Sequence, residues 1–131
     1  MAKKIQAINK YCPKVKLGKT VQMKELVEYV SDRTGLNKGD IQMSLSELSS
    51  AVKFFNKRGE GVKLEGLGIY QPSIDLGGEY SIRHITDVEL ENALNTKGAY
   101  TGEVENRDNI GKTSEELVEM WNKEHPDDLV S

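Results

Sequence analysis

The sequence predicts an α+β fold in which helices form a base for an antiparallel sheet, and it predicts that the chain pairs with a second copy. Three observations lead there. Two stretches of helical spacing follow one another between Met23 and Gly59. From Gly61 the spacing switches to period two, with glycines at the reversals. The second helix carries a stripe, Ile41, Leu45, Leu48, Val52 and Phe55, at spacings of 4, 3, 4 and 3. One small sheet cannot cover a stripe of that length, so these five residues are the expected dimer interface.

Taken in order, residues 1–22 read as a basic N-terminal strand segment. Ile5 and Ala7 alternate with Gln6 and Ile8-Asn9, and Val15 and Leu17 with Lys14, Lys16 and Gly18, giving two short strands about Cys12-Pro13. A helix starts near Met23, shows Met23, Leu26, Val27 and Val30 on one face, and stops at Gly35. Asn37 caps the next helix, with Asp40 three residues on. Its serines, Ser44, Ser46, Ser49 and Ser50, weaken intrinsic propensity, so that helix depends on tertiary burial. Gly59 and Gly61 end it.

Val62 and Leu64 then alternate with Lys63 and Glu65, Gly66-Leu67-Gly68 turns the chain, and a second strand runs to Ile74. Gly77-Gly78 marks the next reversal, and Tyr80 and Ile82 start a returning strand. Asp87 caps a short helix with Val88, Leu90, Ala93 and Leu94. Residues 96–131 read as an acidic linker, Gly-, Asn- and Glu-rich to Asn109, followed by a helix opened by Thr113-Ser114-Glu115-Glu116 and stopped before Pro126.

Charge is unevenly distributed. Across 131 residues, 18 Lys and Arg face 21 Asp and Glu, for a net charge of −3. Residues 1–70 hold 13 basic and 7 acidic side chains, whereas residues 71–131 hold 5 and 14. The first 19 residues contain Lys3, Lys4, Lys10, Lys14, Lys16 and Lys19 and no acid. Such a segment suits phosphate contact or, more plainly, a solvated edge strand.

The stretches Glu25 to Val30, Thr34-Gly35-Leu36-Asn37-Lys38-Gly39-Asp40 and Gly59-Glu60-Gly61-Val62-Lys63-Leu64-Glu65-Gly66-Leu67-Gly68-Ile69-Tyr70 together resemble the bacterial HU and integration-host-factor family. The resemblance covers residues 23–95. Its most specific parts are the Gly-Leu-Asn-Lys-x-Asp helix start and the Gly-x-x-Val-x-Leu-x-Gly-Leu-Gly-x-Tyr strand pair. The added ends look like the HU-related branch common in Bacteroidetes. The resemblance implies an intertwined homodimer with a helical base and a sheet saddle, non-enzymatic, binding double-stranded DNA in the nucleoid through two long β-arms.

Two departures from the family pattern follow. Only Gln71 to Ser81 joins Tyr70 to Ile82, too short for a full arm, with two acids, no base and Leu76 in place of a wedge proline. The Lys-rich third helix is replaced by Val88-Glu89-Leu90-Glu91-Asn92. DNA contact is therefore assigned to Lys3, Lys4, Lys10, Lys14, Lys16 and Lys19 with Lys63 and Arg83. Weak bending is expected, and the rival reading is a dimeric protein-interaction module that has lost DNA binding.

Other chemistry finds little support. One cysteine, Cys12, and two histidines, His84 and His125, assemble no nucleophile, base or metal constellation. No catalytic residue, metal, cofactor or small-molecule substrate is expected. Gly66-Leu67-Gly68 lacks a third glycine and precedes a strand, so it is a turn and not a phosphate loop. With no long apolar run and no secretory-type start, a cytoplasmic protein is expected.

Overall fold

The computed structural model describes all 131 residues. Its elements are α1 (Lys4–Tyr11), β1 (Lys14–Lys16), α2 (Met23–Thr34), α3 (Lys38–Lys57), β2 (Val62–Leu64), β3 (Gly68–Ile74), β4 (Tyr80–Thr86), α4 (Val88–Asn95), β5 (Glu103–Glu105), a 3-10 turn (Arg107–Asn109) and α5 (Ser114–Glu124). They divide into two compact units: residues 1–19 with 101–131, and residues 20–100. No helix is long and apolar enough to cross a membrane.

The larger unit holds α2, α3, α4 and a three-stranded antiparallel sheet in the order β2-β3-β4. Gly35 ends α2 in the left-handed conformation, φ 74°, with its N–H on the Ser31 carbonyl at 2.8 Å. Asn37 then caps α3, its side chain accepting from Gly39 N at 2.8 Å and Asp40 N at 3.3 Å. Val27 and Ile41 are the large apolar side chains that this unit buries. Asn56, also buried, ties the end of α3 to the sheet: its Nδ2 donates to the carbonyls of Glu60 at 2.9 Å and Tyr70 at 3.1 Å.

Strand register sorts the sheet into two faces. Val62, Tyr70 and His84 form one row and Pro72 lies opposite Ile82, on the side that α3 meets. Lys63, Ile69 and Ile85 form the next row, Gln71 lies opposite Arg83, and Ser73 opposite Ser81, all on the other side. Gly68 is required where the strands cross closely. At φ 138° its missing Cβ would stand 2.2 Å from the Ile85 carbonyl oxygen.

The smaller unit corrects two expectations. Ile5 and Ala7 lie in helix α1, not in a strand; Ala7 and Tyr11, four residues apart, are its buried positions. Lys3 N donates to Gln6 Oε1 at 2.7 Å at its start. The expected strand at Val15 does form, but its partner is β5 from the stretch read as a linker. Three asparagines of the C-terminal region hold the N-terminal backbone or their own chain end. Asn106 Nδ2 donates to the carbonyls of Lys10 and Cys12 at 2.8 and 3.0 Å, and Asn109 Nδ2 to that of Tyr11 at 2.7 Å. Asn122 Oδ1 accepts from Val130 N at 2.7 Å. Ala2, Ala7 and Val130 pack with Val118 and Trp121 as the core.

Candidate nucleic-acid interface

The six N-terminal lysines enter the smaller unit by different routes. Lys3 precedes α1, Lys4 and Lys10 lie on it, Lys14 and Lys16 lie on β1, and Lys19 follows. Acids of the C-terminal region meet three of them. Lys4 Nζ is 3.3 Å from Glu115, Lys10 Nζ 3.8 Å from Glu124, and Lys16 Nζ 3.4 Å from Glu103. The N-terminal ammonium lies 3.6 Å from Asp128. Lys3 and Lys14 are exposed and make no ion pair. The strong basic bias of residues 1–19 is thus cancelled within its own unit, which carries nine basic and nine acidic side chains.

These pairs are solvated, and each adds little stability. Their larger effect is on potential: a lysine already facing a carboxylate attracts a phosphate less. The Glu115 carboxyl is held below the usual range, first by its own backbone N–H at the start of α5 and then by Lys4. Tyr11, buried and donating to Glu124, has its hydroxyl pushed up to about 12, chiefly by burial and then by that carboxylate. Lys10 reaches over the rings of Tyr11 and Trp121 at 5.4 and 5.6 Å.

In the larger unit, Lys63 and Arg83 fall on one face of the sheet, the face away from α3. Gln71, Ser73 and Ser81 share it, with the two serine hydroxyls 2.7 Å apart, and no strand residue on that face is acidic. Lys63 lies 3.9 Å from Glu65 just past β2, and Arg83 makes no ion pair. Hydroxyl, amide and guanidinium groups on a pleated surface are the groups that contact a nucleic-acid backbone.

The expected interface stripe is graded along α3. Ile41 is buried, Leu45 and Val52 are half-buried, and Leu48 and Phe55 are more than a third exposed. Met43 and Phe54, absent from that stripe, are more exposed still. They lie eleven residues apart, three helical turns, so the periodic signal exists, but Glu47 and Ser50 interrupt it. Leu26 and Tyr29 on α2 and Val88 and Leu94 on α4 are also exposed apolar side chains. No group of His, Cys, Asp or Glu is arranged to hold a metal ion.

Helical base, three-stranded sheet and short hairpin define an HU-type architectural domain, the class whose members bind DNA in the nucleoid. Residues 2–95 match the family described as an HU domain fused to a winged helix-turn-helix, an immunoglobulin or a glycine-rich motif, and the chain belongs to that family. The match begins at residue 2, so most of the N-terminal segment falls inside the family's pattern, whereas residues 96–131 fall outside it. A comparison with curated proteins finds no similar one.

Proposed function

We propose that this protein is a non-enzymatic, HU-like, nucleoid-associated protein of the bacterial cytoplasm that binds double-stranded DNA as a homodimer, through the backbone and without sequence preference. The observation that supports this best is the sheet face, without an acidic strand residue, that carries Lys63 on β2 and Arg83 on β4 with Gln71, Ser73 and Ser81. Lys3, Lys14 and Lys19 extend the candidate contact set, and Lys4, Lys10 and Lys16 contribute as their local acids allow.

Dimerisation is supported by what the larger unit leaves uncovered. Covering one half-exposed large apolar side chain regains roughly 1 kcal/mol. The exposed residues of α2, α3 and α4 include Leu26, Tyr29, Met43, Leu48, Phe54, Phe55, Val88 and Leu94. Together they are of the size that offsets the roughly 4–15 kcal/mol lost on association. A homodimer made through Ile41, Leu45, Leu48, Val52 and Phe55 would satisfy that face.

The decisive experiment is a salt titration of binding to random duplex DNA, comparing the wild type with a Lys63→Gln, Arg83→Gln double variant. Affinity should fall steeply with salt, and the double variant should bind several-fold more weakly with a shallower slope. A second reading, a dimeric interaction module without DNA affinity, is favoured by the pairing of three N-terminal lysines with acids and by the acidic hairpin tip. Absence of binding to any duplex at low salt would establish that reading instead.

A further inference from the structure

The β3–β4 hairpin presents two complementary surfaces. Its tip, Asp75-Leu76-Gly77-Gly78-Glu79, is closed by the Asp75 carboxylate accepting from Glu79 N at 2.9 Å and by the Asp75 carbonyl accepting from Gly78 N at 3.1 Å. Leu76 projects there, fully exposed, between Asp75 and Glu79. Ile74 and Tyr80, opposite one another below the turn, are likewise exposed. No basic residue lies between Lys63 and Arg83, so this end is apolar and negatively charged. Such a tip repels a phosphate backbone.

On the α3 side of the same hairpin, below the turn, lies an open cavity of about 590 Å³. Pro72, Tyr80 and Ile82 supply apolar walls, and Lys53 and Lys57 from the last turns of α3 stand at it. Neither lysine makes an ion pair, and neither does Asp75 or Glu79. One chain therefore displays an acidic apolar projection and a basic apolar groove, each unpartnered.

We infer that the groove receives the hairpin tip of a second copy of this chain. The occupant is argued from charge and from length. Asp75 and Glu79 are opposite in sign and equal in number to Lys53 and Lys57, with Leu76 between them to enter the apolar floor. Leu76 at the tip and the Pro72–Ile82 pair at the far side of the groove are about four residues apart along β3, roughly 13 Å at strand rise. Two hairpins laid antiparallel across a twofold axis therefore place each tip at the other's groove, a self-complementary contact. This contact does not use the α3 stripe, so it joins pairs made through that stripe into larger assemblies.

Sedimentation of the full chain tests it. The wild type should grow beyond the mass of Leu76→Asp as concentration rises, with at least a tenfold loss of association in the variant. Leu76 touches no core residue, and a melting curve checks that the variant folds. Lys53→Glu with Lys57→Glu should break the same assembly, and adding Asp75→Lys with Glu79→Lys should restore it. Equal masses for wild type and Leu76→Asp at every concentration overturn the inference, as does failure of the double reversal to restore assembly. Loss of duplex binding by the lysine reversals with no change in mass would give the groove to nucleic acid instead.

Discussion

Lys16 on β1 stands directly opposite Glu103 on β5, its Nζ 3.4 Å from the carboxylate, and Lys14 stands opposite Glu105 in the same two-stranded sheet. A Lys-Val-Lys strand therefore lies against a Glu-Val-Glu strand, with Val15 paired to Val104. The segment with the greatest appearance of a phosphate-binding arm is the one whose charge the fold matches most closely. Converting Glu103, Glu115 and Glu124 together to Gln frees Lys16, Lys4 and Lys10. If these lysines contact DNA, the variant binds random duplex more tightly, and log K falls against log salt more steeply by about 1 to 3. An unchanged affinity and slope in a salt titration would remove the three lysines from the interface.

Tyr11 donates to Glu124 from a buried position, and its hydroxyl is pushed up to about 12. A folded-state value above the unfolded one, 10.0, means that the stabilisation is complete below pH 10 and is lost as pH rises toward 12. Deprotonation there removes the donor and sets two anions together. The smaller unit should therefore loosen in this alkaline window, read as delayed tyrosinate absorbance together with loss of α1–α5 helicity. Tyr11→Phe should abolish the delayed component, and a normal tyrosine titration in the wild type would contradict the argument.

The larger unit was largely legible because its signals are local. A glycine stop at Gly35, an Asn37 cap and an Asp87 cap act within four residues of where they stand. The smaller unit was not. Ile5 and Ala7 suit a period of two, and with Ile8 and Tyr11 they also suit a helical one; the burial of Ala7 and Tyr11 decides for the helix. The Asn-rich stretch read as a linker because asparagine favours turns. Here Asn106 and Asn109 spend their amides on carbonyls more than ninety residues earlier, a use that composition cannot reveal. The pairing of basic and acidic ends was hidden for the same reason.

Gly68 offers a sharp test of the sheet crossing. A methyl group there meets the Ile85 carbonyl oxygen at 2.2 Å and His84 Nε2 at 2.8 Å, while φ of 138° already disfavours any L side chain. His84, stacked on Tyr70 with ring centroids 4.4 Å apart, is exposed and can turn aside, but the Ile85 carbonyl belongs to the paired backbone and cannot. Gly68→Ala should cost roughly 2–4 kcal/mol in denaturant unfolding. A loss below about 0.5 kcal/mol would show that β3 and β4 separate easily at this point.

Leu48 lies mid-way along α3, in line with Leu45 and Val52 and more than a third exposed in the single chain. In a lone chain Leu48→Asp would cost roughly 1–2 kcal/mol in lost packing and helix propensity, independent of protein concentration, because its carboxylate could still reach solvent. In a homodimer packed through this stripe it buries an unpaired charge against its symmetry mate, at a cost of several kcal/mol. The two cases separate cleanly. With the dimer, wild-type Tm rises with protein concentration, and Leu48→Asp is unfolded or melts far lower. If neither Tm depends on concentration, Leu48→Asp folds with only a modest loss, and the wild type sediments as a stable monomer at micromolar levels, α3 is not the dimer face.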